Sequence, residues 1–312
     1  MPLISIVSPV YRAEKIVPQL VSEIVTSVSQ ITENFEIVLV EDGSPDNSWQ
    51  AIAEACYTES RIHALRLSRN FGQHTAITAG LAASRGTWIV VMDCDMQDRP
   101  SEIIRLYAKA MEGYETVLAQ RTKRRDGRRK QISSKLFYAL FSYLTETKQD
   151  ASIANFGIYH RKVINSILRM NDNIRYFPAM VQWVGFHQGK IKVSHDNRLE
   201  GKSSYNFSRL LRLSINNIIA FSDKPLRLAV VCGFFITAFS LLIGLAVLAM
   251  FLAGMIEVAG YASLIISVWL TAGLQIFVLG FVGLYVGKSF EKVKQRPLYI
   301  IDTEINRNDS QT

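Results

Sequence analysis

The sequence predicts an α/β domain with a mixed, mainly parallel sheet, followed by a two-helix transmembrane anchor. Three observations point there. Up to Gln120, short β-rich runs alternate with longer helical patterns, the order that a largely parallel sheet requires. Trp88 to Met92 is an unbroken apolar run of the kind that occupies a sheet centre. No charged side chain occurs from Leu228 to Ile256, or from Val258 to Gly287. Each of these stretches exceeds the ~20 residues that cross about 30 Å of hydrocarbon.

Ile4 to Ser8 reads as the first strand and Ala13 to Ile31 as a helix. Glu36 to Val40 is a second strand, running directly into Glu41-Asp42-Gly43-Ser44. Asp46 is placed to cap a helix carrying Trp49, Ile52 and Ala53. Ile62 to Leu67 is a third strand, followed by a helix over Thr75 to Ser84. The apolar strand Trp88 to Met92 delivers Asp93-Cys94-Asp95 at its carboxyl end, where open α/β sheets bind ligands. Beyond Arg121 the pattern is less regular, with helical readings for Gln131 to Leu144 and Lys162 to Arg169 and a strand for Phe156 to Tyr159. Asn206 to Ser222 mixes apolar and polar residues just before the first span, as an interfacial helix does.

The formal net charge is +8, and it is concentrated. Arg121, Lys123, Arg124, Arg125, Arg128, Arg129 and Lys130 form one basic run; Arg209, Arg212, Lys224 and Arg227 precede the first span. No nucleic-acid-binding motif accompanies them, so nucleic acid is not an expected partner. Anionic lipid headgroups and phosphate-bearing substrates suit the position of the charge. Lys288, Lys292, Lys294 and Arg296 follow the second span, whereas the connector around Glu257 has no Lys or Arg. The positive-inside rule therefore places both flanks in the cytoplasm, in a multi-pass inner-membrane protein. Glycines in the spans (Gly233, Gly244, Gly280, Gly283, Gly287) permit close helix contact within or between chains, which leaves a homo-oligomer open. The three cysteines, Cys56, Cys94 and Cys232, offer no disulfide framework or zinc spacing. Met1 to Val7 has neither a basic region nor a cleavage site, so no signal peptide is expected.

Two acidic groups at two strand ends carry the chemistry: Glu41-Asp42-Gly43-Ser44, and Asp93-Cys94-Asp95-Met96-Gln97. Either alone is weak, because turns after strands commonly contain such residues. Together they point to a site for a nucleotide and a divalent metal. Oxygen ligands suit Mg²⁺ or Mn²⁺, which typically take one or two carboxylates and substrate phosphates.

Four segments in order resemble the family 2 glycosyltransferases: Ser8-Pro9-Val10-Tyr11, Glu41-Asp42-Gly43-Ser44, Ser68-Arg69-Asn70-Phe71-Gly72 and Met92-Asp93-Cys94-Asp95-Met96-Gln97-Asp98. The polyprenyl-phosphate branch is the nearer match, including bactoprenol glucosyltransferases and dolichol-phosphate mannose synthases. Arg198-Leu199-Glu200-Gly201-Lys202-Ser203-Ser204-Tyr205 and Arg296-Pro297-Leu298-Tyr299-Ile300-Ile301 extend the resemblance over nearly the whole chain. It implies a GT-A type nucleotide-sugar-binding domain and an inverting, metal-dependent hexosyltransferase. The enzyme would move one sugar from a UDP- or GDP-linked donor to undecaprenyl phosphate or a similar polyprenyl phosphate.

Under the resemblance, Pro9, Tyr11, Val40 and Asp42 would line the nucleoside pocket, with Glu14 in an acidic role beside them. Asp93 would lie near the nucleotide, and Asp95 and Gln97 would hold the Mg²⁺ or Mn²⁺. Asp95 and Arg121, the latter near the donor sugar and phosphate, would be the catalytic pair. Arg129, Ser133, Arg198 and Lys202 would receive the lipid phosphate, since guanidinium forks suit phosphate oxygens. The implied layout is a GT-A domain over 1–205, an amphipathic juxtamembrane helix over 206–224, two transmembrane helices over 225–288 and a cytoplasmic tail over 289–312.

The chain departs from the family pattern at four places. Arg12-Ala13-Glu14 stands where Asn-Glu-Glu is common, and Glu41 replaces the first Asp of Asp-Asp-Gly-Ser. Ala154-Asn155-Phe156-Gly157 stands in place of Gly-Asp-Phe-Arg, and Ser204 takes the position of a lysine. The Gln-x-x-Arg-Trp motif of processive members is absent. A polyprenyl monophosphate is already anionic, with a second pKa of about 6, so its attack at the anomeric carbon needs no catalytic base. The residues alone leave two other readings: a membrane transporter or flippase subunit, and an inactive partner with the same fold.

Overall fold

The computed structural model describes residues 2–121, 153–170, 175–193 and 260–306, with scattered positions between 230 and 255. The expected helices over Gln131 to Leu144 and Asn206 to Ser222 lie outside the described residues.

In chain order the elements are β1 (Ile4–Val10), α1 (Val17–Val28), β2 (Phe35–Glu41), α2 (Ser48–Thr58), β3 (Ile62–Leu67), α3 (Gln73–Ala83), β4 (Trp88–Val91), α4 (Glu102–Ala110), β5 (Thr116–Arg121), β6 (Ile153–His160), α5 (Arg161–Leu168), α6 (Phe177–Trp183), β7 (Gln188–Val193), α7 (Tyr261–Val293) and β8 (Ile301–Ile305). The strands form one sheet in the order β7-β5-β6-β4-β1-β2-β3-β8. β4, β1, β2 and β3 run parallel, β6 is antiparallel to both β4 and β5, β7 is parallel to β5, and β8 is antiparallel to β3. The sheet is therefore mixed with a parallel centre, as predicted.

The parallel centre explains the apolar runs. Every residue of β1 and β4 is buried, because helices cover both faces. On one face Ile4, Ile6, Ile37, Leu39 and Val90 pack with Leu20 and Ile24 of α1 and Ile103 and Leu106 of α4. α3 lies against the other side of β1 and β2, where Gly80 brings its backbone close to Val7 and Val40. α1 starts at Val17 rather than Ala13, with Pro18 in its first turn, where a missing N–H costs nothing. The Ala13 N–H is taken instead by the Ser48 hydroxyl at 2.9 Å.

Sequence periodicity did not yield α4, β5, α6, β7 or β8. The segment 289–312, read from sequence as tail, contains a strand: Ile301–Ile305 pairs with β3 through Ala64↔Ile305, Leu65↔Glu304 and Arg66↔Thr303. Its Ile-Asp-Thr-Glu-Ile alternation is the pattern of an edge strand, but five residues are too few to stand out.

The chain divides into two compact units, one built on the sheet and including residues 297–306, the other containing α7. α7 is 33 residues long, about 50 Å at 1.5 Å per residue. Its stretch Leu270–Gly287 is long and apolar enough to cross a membrane, and among the described residues it is the one such segment. Leu270, Ile276, Leu279, Leu284 and Val286 are exposed around it. Of the other expected span, the described positions from Val230 to Met250 are helical.

A polar knot pins the amino edge of the sheet. The Ser5 hydroxyl, fully buried on β1, donates to Glu36 Oε1 at 2.5 Å and accepts the Gly86 N–H at 2.6 Å. Arg161 Nε donates to the Gly86 carbonyl at 2.8 Å. A Cβ on Gly86 would lie 2.6 Å from the Ser5 backbone nitrogen and 2.9 Å from the Ile4 carbonyl carbon. Gly86→Ala should accordingly lower stability by about 1–3 kcal/mol through overpacking, seen as a lower thermal midpoint. Because the knot is at the edge opposite the strand carboxyl ends, activity per folded molecule should be unchanged.

Candidate functional site

β1 lies where the strand order reverses, with β2 and β3 on one side and β4 on the other. Such a switch point opens a crevice at the carboxyl ends of the strands. Here those ends carry Tyr11 and Arg12 after β1, Glu41 and Asp42 at the end of β2, and Asp93 to Gln97 after β4. Pro9 and Val40, both buried, are register partners in the floor beneath. Tyr11 is exposed, and its backbone hydrogen-bonds to Cys94 across the switch point. Burial pushes the Cys94 thiol up to about 12, so it stays protonated.

Asp42 is 2% exposed, and both carboxylate oxygens have backbone donors. Oδ1 accepts the Phe71 N–H at 2.7 Å and Oδ2 the Gly72 N–H at 2.9 Å. Burial is the largest influence on this carboxyl and raises its pKa, with Glu41 adding to the effect; the two amide bonds and Arg69 oppose it. The neighbouring Gly43 has φ +60°, and a Cβ there would lie 2.4 Å from the Asn70 nitrogen and 2.5 Å from the Arg69 carbonyl carbon. Only glycine lets the β2 turn meet the 68–72 loop this closely. Glu41 is 1% exposed, accepts the Ser44 N–H and lies 3.6 Å from Arg66 Nε, so its carboxylate closes the turn.

The loop leads into α3, whose first residue, Gln73, donates from Nε2 to Asp93 Oδ1 at 2.7 Å. A chain of polar contacts thus runs from Asp42 through the 71–73 backbone to Asp93. Asp95 Oδ1 accepts the Gln97 N–H at 3.1 Å, turning the chain just past β4. Met96, between them, has φ +57°, and Arg12 after β1 has φ +54°. Left-handed backbone in non-glycine residues costs about 1–3 kcal/mol and clusters at functional sites. Both stand at neighbouring strand ends of the crevice. Asp93 and Asp95 are half-buried, whereas Gln97 is buried.

Glu14 is turned to the α2 side of the crevice, where Oε2 accepts the Asn47 N–H at 3.0 Å. It ties the loop after β1 to the start of α2. Arg121 ends β5, which runs parallel to β4, so its backbone reaches the same edge of the sheet. β7 ends at Val193, the register partner of Arg121, and the chain toward Arg198 and Lys202 departs from that edge. Arg129, Ser133, Arg198 and Lys202 themselves lie outside the described residues.

Among the described residues, no cluster of three or more His, Cys, Asp or Glu side chains is arranged to hold a metal. The expected pair, Asp95 and Gln97, suits a different mode of binding. Mg²⁺ and Mn²⁺ keep several positions for waters and substrate phosphates and take one or two carboxylates from the protein. Asp95, a half-buried carboxylate at the crevice, and the Gln97 amide oxygen two residues on are hard-oxygen donors of the kind required.

Sequence reasoning missed Gln73 and the Phe71 and Gly72 amides. No side-chain pattern announces a backbone donor, and Gln73 acquires meaning only when α3 is set beside β4. The His74 ring meets Tyr176 edge-on at 5.0 Å, with burial holding its pKa down to about 4.

The glycosyl transferase family 2 signature matches residues 5–173, the stretch that contains Asp42, the 68–72 loop, Asp93, Asp95, Gln97 and Arg121. An uncharacterized glycosyltransferase of Bacillus subtilis (strain 168), YkcC, is 35% identical over 298 residues, covering 95% of this chain and 92% of that relative. The undecaprenyl-phosphate 4-deoxy-4-formamido-L-arabinose transferase of Shewanella sediminis is 33% identical over 301 residues, covering 96% and 91%. The counterpart in Proteus mirabilis is 32% identical, covering 96% and 92%. The chain belongs to glycosyl transferase family 2.

Asp42→Asn tests the loop anchor. The amide NH₂ would face one of the two backbone donors and leave a buried N–H unpaired, at a cost of about 1–3 kcal/mol. The expected result is a thermal midpoint several degrees lower; an unchanged midpoint would show that the carboxylate does not hold the loop.

Proposed function

We propose that this protein transfers one sugar from a nucleotide sugar, UDP- or GDP-linked, to undecaprenyl phosphate or a similar polyprenyl phosphate. The observation that carries the reading is the gathering of Asp42, Asp93 and Asp95 at one crevice in a chain matched nearly end to end by undecaprenyl-phosphate sugar transferases. The product is a polyprenyl-phosphate sugar, inverted at the anomeric carbon by a single displacement.

Tyr11, Pro9, Val40 and Asp42 receive the nucleoside, with Glu14 bracing the rim. Asp93 lies beside the nucleotide, and Asp95 and Gln97 are the residues that would hold a divalent cation at the diphosphate. When bound there, such a cation would offset the negative charge that develops on the nucleoside diphosphate leaving group. Arg121 lies near the donor sugar and phosphate, and Arg129, Ser133, Arg198 and Lys202 hold the lipid phosphate. The acceptor oxygen is already anionic, so the protein's task is to bring two anions together and align them.

Chain connectivity supports a membrane hairpin. β8 follows α7 and pairs with β3, which precedes it, so both strands belong on one side of any membrane that α7 crosses. The chain between Val193 and Ile301 must then cross an even number of times. α7 supplies one crossing, and the charge-free stretch from Leu228 to Ile256 is the available second. With the basic flanks, this supports a catalytic unit on the cytoplasmic side.

Purified protein should convert undecaprenyl phosphate and one nucleotide sugar from a UDP- and GDP-linked panel into a lipid-phosphate hexose detectable by mass spectrometry. No product with any donor would refute the activity. EDTA should abolish turnover and Mg²⁺ or Mn²⁺ restore it, while Asp95→Asn should lower kcat at least about 100-fold with folding retained. Full activity in chelator would remove the metal from the reading.

In topology, tags at both termini should be protected in intact cells and a tag beside Glu257 reached from outside. Termini found on opposite faces would mean an odd number of crossings.

A further inference from the structure

The 68–72 loop is held from two directions. Its far end hangs on Asp42, through the Phe71 and Gly72 amides. Its near end hangs on the chain that follows α7: the Ser68 N–H donates to the Ile300 carbonyl at 3.0 Å. From that bond β8 continues along β3, with a register irregularity between Arg66 and Leu67 just before the loop begins. Side chains close the other end of the pairing. His63 Nε2 lies 2.7 Å from Glu304 Oε1, and Asn306 Nδ2 donates to the Ile62 carbonyl at 3.1 Å. Upstream of β8, Tyr299 is half-buried; burial raises its phenol pKa, opposed by the nearby Arg175 guanidinium. Arg175 is itself buried, and its neighbour Tyr176 meets His74 in the first turn of α3.

We propose that the segment after α7, Pro297–Asn306, is a positioning element of the donor site that holds the 68–72 loop in register with Asp42. Without it β3 becomes an open edge and Ser68 loses its partner. The loop that supplies both Asp42 bonds, and through Gln73 the bond to Asp93, is then anchored at one end only. Residues 5–173, which the family signature matches, therefore do not complete the donor site alone. The consequence for binding rests on the proposed function, which puts the nucleotide beside this loop; the mechanical role of the strand does not.

The test uses the full chain in detergent, a chain ending at Arg296, and the full-length variants Glu304→Ala and Glu304→Gln. Amide hydrogen exchange is followed at Ser68, Phe71 and Gly72, with Val7 and Val90 as core references, and UDP and GDP affinities are measured in parallel. The truncated chain should exchange the three loop amides at least about tenfold faster while the references keep their protection. Glu304→Ala should move the same amides in the same direction by less, and Glu304→Gln, which can still bond His63, should restore them. Kd for whichever of UDP or GDP binds should rise at least about tenfold on truncation.

Wild-type exchange at the loop in both the truncated chain and Glu304→Ala would overturn the proposal. If truncation prevents folding, Glu304→Ala against Glu304→Gln decides it by the same criterion. Faster loop exchange in a protein whose wild type binds neither UDP nor GDP would uphold the strand's role and refute the nucleotide reading instead.

Discussion

Both oxygens of the buried Asp42 carboxylate accept backbone N–H groups, and this pair of bonds joins two loops that no sheet ladder connects. A carboxylate taken out of water is costly unless it is hydrogen-bonded, and each bond to a charged group contributes about 1.5–3 kcal/mol. The arrangement fixes where α3 begins, because Gly72 immediately precedes it. With α3 placed, Gln73 reaches Asp93 and the ends of β2 and β4 become one surface. Gly43 is the steric condition for all of this, since any side chain there would strike the Arg69–Asn70 backbone.

The charge distribution follows the same logic of paired anions. Asp93 and Asp95 at the crevice would repel a nucleoside diphosphate without an intervening cation. The basic residues instead follow β5 and β7, whose ends reach that edge from the other side of β6. In the proposed function, carboxylates would serve an anion that binds with a metal, and guanidinium groups an anion that binds without one. β6, antiparallel between β4 and β5, separates the two sets of strand ends along this edge.

The parallel centre was legible because strands buried on both faces are mostly apolar, and β1, β2 and β4 are, with Ser5, Ser8, Glu36 and Glu41 as the polar exceptions. The rest was not, for reasons visible in particular segments. β7 reads Gln-Gly-Lys-Ile-Lys-Val, half-buried at one sheet edge, so polar residues are tolerated. β8 sits at the other edge with its residues exposed or half-buried. α4 has a clear apolar face in Ile103, Leu106 and Ala110, but only nine residues in which to show it. At the site, the acidic residues were legible by type and position at strand ends. Their partners were not, since the Phe71 and Gly72 amides are backbone and Gln73 is an ordinary polar residue at a helix start.

What the sequence determined by itself was the α/β class, the strand ends that carry carboxylates and the two charge-free stretches. All of these are local consequences of hydrophobicity and chain period. The tertiary structure alone decided that β8, beyond α7, returns to pair with β3, with the Ser68 N–H bonded to the Ile300 carbonyl beside it. Pairing between residues more than 230 positions apart, as in His63 with Glu304, depends on backbone donors and on the path of the chain. Neither leaves a periodic trace in the residues that take part.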